Sequence, residues 1–224
     1  MSVVLDHLVV AAASLEQGVD WCEATLGVTP LPGGQHPLMG THNRLLKIAT
    51  PAFPDCYLEI IAIDPAAPPP GRARWFGLGD DSLQASLLAH GPRLMHCVAR
   101  STMLDMHRWG LITAGCKPGD PVNASRETPV GTLSWQILLR EDGGLDCAGA
   151  LPTLIQWQGV HPAMAMPESG VTLTALALNG VSHRARDVLR LRGVNVQAAG
   201  ASTETPALLA TLATPRGEVQ LASV

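Results

Sequence analysis

Two stretches of the sequence resemble each other, and each places a histidine at the same point. The first copy reads VLDHLVV around His7, and the second reads RLMHCVA around His96. Each copy is followed by another apolar stretch that carries an oxygen donor, Glu59 in the first and Gln156 in the second. Glu59 follows His7 by 52 residues, and Gln156 follows His96 by 60. A duplicated unit with matching polar residues predicts a metal site shared by the two copies.

These residue types suit a divalent first-row metal. Two imidazoles and the Glu59 carboxylate leave open coordination positions, which fits iron or manganese, and the amide oxygen of Gln156 extends the choice to zinc or nickel. The open positions would take two neighbouring oxygens of a small substrate, on which the metal acts as a Lewis acid. Isomerase or lyase chemistry and ring-opening dioxygenation both remain open.

Each predicted ligand also has a purely structural interpretation. His7 and His96 could be buried strand histidines whose nitrogens bond to the protein, and Gln156 could be a core amide bonded to the backbone. Glu59 is harder to explain in this way, because burying an unpaired carboxylate among aliphatic residues is costly.

A glycine-rich stretch supplies further polar candidates. Residues 30–40 predict a loop, and His36, His42 and Asn43 lie in it or directly after it. We interpret the segment as a lid that turns these three side chains toward a substrate. A plain surface loop is the alternative.

Two more candidates lie between the copies. Arg74 and Trp75 could give the substrate a cation and an aromatic wall, or they could pack between the two units. His161 follows the last strand of the second copy and could line the mouth of a site.

The composition indicates a folded globular protein without a surface for polyanions. The chain has 224 residues, of which 46% are hydrophobic and 15% charged, with a net charge of −4. This length allows a sizeable core, and the acidic balance argues against nucleic acid and membrane surfaces as partners. Five cysteines without a CxxC pair favour reduced thiols and a cytoplasmic protein. We expect neither a signal peptide nor a transmembrane helix.

The order of elements in each copy is strand, helix, then strands. Residues 3–12 predict a buried strand, and Ser14 with Gln17 forms a capping-box pattern that begins a helix ending at Gly27. The other predicted elements of the two copies are strands at 44–49 and 56–63, a strand at 94–100, a helix at 102–114, and strands at 133–139 and 154–157.

This order predicts an α+β fold of tandem βαβββ modules, two of them paired in a cup-shaped sheet. We place the first module at 1–66, a connector at 67–92, the second module at 93–165 and a third, half-module at 166–224. The third has no histidine in its first strand. A half-module leaves a sheet edge and an apolar face without a partner, so we predict a homodimer through that face.

A duplicated βαβββ module with a histidine in its first strand and a carboxylate in its last resembles the vicinal-oxygen-chelate superfamily. The resemblance is strongest to its glyoxalase-like branch, the fold of glyoxalases, bleomycin-resistance proteins and extradiol dioxygenases. The segments that carry it, over about residues 3–165, read LDHLV from Leu5, GGQHP from Gly33, GTHN from Gly40, YLEI from Tyr57, RWF from Arg74 and LIQW from Leu154.

The resemblance implies that His7, Glu59, His96 and Gln156 hold a divalent metal ion in the cup. Many superfamily enzymes have a glutamate at the position of Gln156, and in glyoxalase I that glutamate is also the proton-transfer base. A glutamine can bind a metal through its carbonyl oxygen but cannot act as a base near neutral pH. Glu59 is therefore the candidate catalytic residue.

Two functional hypotheses follow. The first is a glyoxalase-like, metal-dependent enzyme acting on a small substrate with vicinal oxygens. The second is a non-catalytic small-molecule-binding or resistance-type protein of the same fold, suggested by the missing base at Gln156. Ligand binding that survives a chelator, without turnover, would favour the second.

Overall fold

The computed structural model of the chain describes residues 3–128, 131–198 and 205–223. At the start of the first helix, α1 (Leu15–Leu26), the Ser14 hydroxyl accepts a hydrogen bond from the Gln17 amide at 3.1 Å, and Gly27 ends the helix in the left-handed conformation with φ of 76°. Both ends of this helix were predicted from the sequence. The first unit consists, in chain order, of β1 (Val4–Ala11), α1 (Leu15–Leu26), β2 (Leu31–His36), β3 (Thr41–Lys47) and β4 (Tyr57–Ile63).

A connector with a 3₁₀ turn at Trp75–Gly77 and the helix α2 (Asp81–His90) leads to the second unit. The second unit repeats the order of the first with β5 (Arg93–Arg100), α3 (Leu104–Thr113), β6 (Asp120–Thr128), β7 (Gly131–Leu139) and β8 (Thr153–Gln158). These paired units confirm the predicted α+β fold of βαβββ modules. None of the helices in the described ranges is long and apolar enough to cross a lipid bilayer.

The two units form one eight-stranded sheet with the order β2-β3-β4-β1-β5-β8-β7-β6. The central strands β1 and β5 run antiparallel, and Leu8 pairs directly with Cys97. These two residues also correspond in the repeated sequences, so the pseudo-two-fold axis passes through this pair. The end strands β2 and β6 contact each other, which bends the sheet into a nearly closed cup.

The two faces of the sheet bury different residues, as strand alternation requires. On the convex face Leu8 and Leu58 pack beneath α1 and α3. On the concave face Val9 and Ile155 face Phe76 of the connector, which enters the cup. Full burial of an aliphatic side chain contributes about 1.5–3 kcal/mol, so both layers stabilise the curvature of the sheet.

The segment predicted as a loop over residues 30–40 contains an edge strand instead. Leu31–His36 forms β2 and pairs with β3. Pro32 is compatible with this position, because an edge strand leaves one side of its backbone without a partner strand. His36 and Asn43 consequently lie on two strands of a hairpin, and the predicted lid is part of the wall of the cup.

The third unit packs on the convex face of the main sheet. Its apolar residues, among them Leu173 and Leu212, belong to the same core as Leu8 and Leu58. The apolar face through which we predicted a homodimer is therefore covered within the chain, while the homodimer itself stays a prediction. The unit consists of β9 (Thr172–Asn179), α4 (His183–Leu189), β10 (Asn195–Gln197), β11 (Leu208–Thr214) and β12 (Gly217–Ala222), with the sheet order β10-β9-β11-β12.

Candidate active site

An irregularity in β1 brings Asp6 and His7 together. The register against β5 passes from Leu5 to His7, which leaves Asp6 as the extra residue of a bulge. In a regular strand, neighbouring side chains point to opposite faces, whereas a bulge re-aims them. Here the Nδ1 atom of His7 lies 2.7 Å from the Asp6 carboxylate, and both residues are buried.

The Asp6 carboxylate accepts three hydrogen bonds. Besides the bond from His7, its Oδ2 atom accepts from Trp157 Nε1 and His161 Nε2, each at 2.9 Å. Burial alone would raise the pKa of Asp6, but the bonds from His161 and His7 hold that pKa below its ordinary value. An ionised Asp6 accepts a hydrogen bond from the N–H group at His7 Nδ1, so the other ring nitrogen, Nε2, faces the cavity.

Glu59 lies opposite the free nitrogen of His7. It pairs with Val9 in the parallel ladder of β1 and β4, and its Oε2 atom is 3.6 Å from His7 Nε2. Its other oxygen accepts a hydrogen bond of 2.5 Å from Asn43 Nδ2. A buried carboxylate and an imidazole are thus presented as a pair, and Asn43 fixes the rotamer of the carboxylate.

Two glycines make room for this arrangement. A Cβ atom on Gly33 would lie 2.0 Å from Asn43 Oδ1, and one on Gly34 would lie 2.6 Å from Arg126 Nη1. The Gly34 amide instead donates to Asn43 Oδ1 at 2.8 Å, and Arg126 Nη1 reaches the same oxygen at 3.5 Å. The two glycines therefore allow the side chains of Asn43 and Arg126 to approach the backbone of β2 closely.

These side chains line a cavity in the cup of about 40 Å³, which becomes about 400 Å³ when its open mouth is included. The ring of Tyr57 stacks on His7 with centroids 4.6 Å apart. His36 meets Trp75 edge-on at 5.0 Å, and burial lowers the pKa of His36 to about 4, so its ring is neutral at pH 7. The polar residues that line the cavity are His7, His36, Asn43, Tyr57, Glu59 and Arg126.

His96 lies elsewhere in the cup, and both of its nitrogens are bonded within the protein. Its Nδ1 atom donates to Gly149 O at 2.8 Å, while Nε2 accepts from the Thr153 amide at 3.1 Å and lies 2.9 Å from its hydroxyl. The ring of Phe76 packs against it at 5.1 Å. Burial lowers the pKa of His96 to about 4. In this arrangement His96 has no lone pair for a metal, contrary to the predicted convergence with His7.

Gln156 faces away from the cup. Its neighbours Ile155 and Trp157 line the cavity, so alternation along β8 puts Gln156 on the convex side. There its Oε1 atom accepts a hydrogen bond from Leu104 N at 3.1 Å, at the start of α3. The predicted ligand is therefore a helix cap, and the structural alternative describes it better.

His42 and Arg74 also lie outside the cavity, whereas Trp75 lines it. Thr41 and Asn43 are the buried positions of β3, and the half-buried His42 between them turns outward, with Nδ1 3.9 Å from Asp64. Arg74 extends beside the turn at Gly40. Neither side chain can contact a ligand bound between His7 and Glu59.

The donor set does not match the four-ligand metal site implied by the resemblance. Only His7 and Glu59 of the four predicted ligands meet in the cavity, since His96 and Gln156 are engaged elsewhere. Within residues 3–128, 131–198 and 205–223, no three His, Cys, Asp or Glu side chains are arranged to hold a metal ion.

Sequence reasoning missed Asp6, Tyr57 and Arg126 as site residues, and it missed Arg126 because β6 was not predicted. Along this strand Val122, Ala124 and Arg126 are half-buried, while the intervening residues are exposed. That alternation is typical of a strand, but its apolar members are few and small. It was the one signal that could have placed Arg126 inside the cup.

Comparison with known proteins agrees with this fold. A model of the glyoxalase-like domain matches residues 5–204. A hypothetical protein from Staphylococcus aureus shares 13% identity over 99% of this chain and 86% of its own, with a TM-score of 0.56. Methylmalonyl-CoA epimerase from Mycobacterium tuberculosis shares 18% identity over 74% of this chain and 95% of its own, with a TM-score of 0.39. No curated protein matches the chain by sequence.

Proposed function

Because the chain belongs to the glyoxalase-like domain family, we propose that it is an enzyme that transfers a proton at a carbon next to a carbonyl group of a small molecule. The observation that carries the proposal is the pair formed by Glu59 and His7, buried and 3.6 Å apart at the wall of a cavity. A positioned carboxylate and imidazole are the usual partners in general acid–base catalysis.

The surroundings assign a role to each member of the pair. Glu59 removes the proton from carbon, and the electron pair of the broken C–H bond moves onto the carbonyl oxygen. His7, held by Asp6 with Nε2 toward the cavity, takes up a proton from solvent at Nε2 and delivers it to the carbon, while Glu59 releases its proton to solvent. Arg126 supplies positive charge for the oxyanion that forms, which lowers the barrier most in a site shielded from water. Asn43 and Asp6 are positioning residues.

The divalent metal expected from the family resemblance (zinc, nickel, manganese or iron) remains a prediction with two candidate ligands, His7 and Glu59. A bound metal would supply Lewis-acid stabilisation of the same oxyanion. Because the other two predicted ligands lie outside this cavity, the proposed steps use only side chains of the chain.

Solvent exchange tests this function before the substrate is known. The protein is incubated in D₂O with a panel of 2-oxo acids, 2-methyl acyl thioesters and ketones, and deuterium incorporation at the carbon next to the carbonyl is followed by NMR. Parallel samples contain a chelator or added Zn²⁺, Mn²⁺, Ni²⁺ or Fe²⁺. We expect exchange with at least one compound class, with the chelator present. Binding of panel members without exchange in any sample would contradict the proposal and support the non-catalytic alternative.

A further inference from the structure

A second, larger cavity adjoins the first and shares Arg126 with it. This groove, of about 1240 Å³ with its open mouth, runs between β2 and β7 and along residues 158–167. Arg126 lines both cavities and therefore lies where the groove meets the chamber of Glu59 and His7. A ligand that contacts Glu59 and continues into the groove therefore passes Arg126.

The walls of the groove are mostly apolar. Leu31 and Leu45 come from the β2–β3 side, Leu133 from β7, and Val160 with Met166 from the segment that follows β8. Val160 is 66% exposed, although burial would be favoured for a side chain of this type. An apolar lining of this kind is typical of a binding site for the hydrocarbon part of a ligand.

Among the residues that the structure describes, Arg126 has no carboxylate within ion-pair distance. Its side chain approaches the Asn43 amide oxygen at 3.5 Å. The missing Cβ of Gly34 keeps space open for its guanidinium. A half-buried guanidinium at the junction of two cavities is suited to bind a carboxylate or a similar oxyanion through two hydrogen bonds.

We infer that the substrate is a carboxylic acid with an apolar side chain. The carboxylate binds Arg126, the neighbouring carbon points inward to Glu59, and the apolar chain lies in the groove. This inference rests on the proposed function for the direction in which the carbon points. The inferred binding of the carboxylate and of the apolar side chain of the ligand depends only on the two cavities.

The probes for the test are octanoate, octanamide and butanoate, whose binding is measured by calorimetry and by the fluorescence of Trp75, Trp135 and Trp157 at the inner cavity. Octanoate should bind roughly tenfold or more tightly than octanamide, the difference expected for a bond to a charged group. It should also bind more tightly than butanoate, because each buried methylene favours binding.

Three variants separate the effect of the contact between Arg126 and the carboxylate from nonspecific effects of substitution. Arg126→Gln should remove the preference for octanoate over octanamide, and Arg126→Lys should keep part of it. Arg184→Gln, at an exposed arginine of α4, is the matched control and should keep all of it. Circular dichroism checks that each variant is folded.

Equal binding of octanoate and octanamide to the wild type would overturn the inference, as would an unchanged preference in folded Arg126→Gln. Loss of the preference in Arg126→Gln together with its retention in Arg184→Gln supports it. If the carboxylate preference is found but no panel compound exchanges deuterium, the substrate inference stands and the proposed function fails, so the two failures are distinguishable.

Discussion

Glu59 and Thr153 occupy the same position in the two repeated units. Glu59 pairs with Val9, and its carboxylate lies 3.6 Å from Nε2 of His7. Thr153 pairs with Val98, and its hydroxyl lies 2.9 Å from Nε2 of His96. The second unit thus repeats the geometry of the first with an uncharged hydroxyl, which satisfies its histidine. We therefore assign the acid–base pair of the proposed reaction to the first unit.

Replacing Gln156 by alanine tests its role as a helix cap. The Leu104 amide at the start of α3 loses its acceptor, so we expect a loss of about 1 kcal/mol in the free energy of unfolding. Gln136→Ala, on the paired position of the neighbouring strand, should change it by less than about 0.5 kcal/mol. Urea denaturation measures both. A loss of ligand binding in Gln156→Ala with unchanged stability would return Gln156 to the site.

The sequence was sufficient to predict most of the fold. The repeated VLDHLVV and RLMHCVA stretches indicated the two units, and the pattern at Ser14 and Gly27 fixed both ends of α1. The two edge strands of the eight-stranded sheet, β2 and β6, were missed. β2 contains Pro32 and two glycines that suggest a loop, and only the contacts with Asn43 and Arg126 explain why glycines stand there.

Only part of the site was predicted. The local repeats indicate where the strands lie in the sequence, but they do not indicate how the strands pair across the cup. Spacing placed Gln156 opposite His96, whereas the strand register puts Thr153 there, three residues earlier. The sequence also gave no sign that Phe76 of the connector enters the cup and packs on His96. These are long-range packing effects, which a pattern within one strand cannot contain.

Stability should fall as the pH is lowered from 6.5 toward 4. In the folded protein burial lowers the pKa values of His36 and His96 to about 4, while in the unfolded chain they return to about 6.5. Between these values the unfolded state binds more protons, which favours unfolding by up to about 1.4 kcal/mol per pH unit for each histidine.

Urea denaturation at several pH values measures this slope. His96→Gln should reduce it, whereas His90→Gln, at an exposed histidine of α2, should leave it unchanged. A free energy of unfolding that is flat over the interval would show that these two histidines are not buried in the neutral form.

Asp6→Asn should destabilise the protein and disorder His7. Asparagine offers one acceptor oxygen and one donor group to three N–H donors, so a buried donor faces another donor. We expect a loss of about 3 kcal/mol at pH 7. Since the pKa of Asp6 is lowered in the folded state, its contribution is present above the ordinary pKa of 3.8 and is lost below it. Asp20→Asn on the surface of α1 is the control, and equal stabilities of the two variants would refute this role.

The protein should not bind a divalent metal through all four predicted ligands. A metal at His96 would require that histidine to give up its bonds to Gly149 and Thr153 and would displace Phe76. Equilibrium dialysis against Zn²⁺, Mn²⁺, Ni²⁺ or Fe²⁺ with elemental analysis should therefore give the same metal content for wild type and folded His96→Ala. One tightly bound equivalent that is lost in both His7→Ala and His96→Ala would show that the two histidines share a metal and would contradict this account.

Deuterium exchange in two variants at the equivalent positions tests the central claim most directly. With a compound that the wild type exchanges, Glu59→Gln should lower the rate by about 10²-fold or more, the usual contribution of a general base. Thr153→Val, at the matching position of the second unit, should keep the wild-type rate. Undiminished exchange in Glu59→Gln, or an equal loss in folded Thr153→Val, would contradict the assignment of the acid–base pair to the first unit.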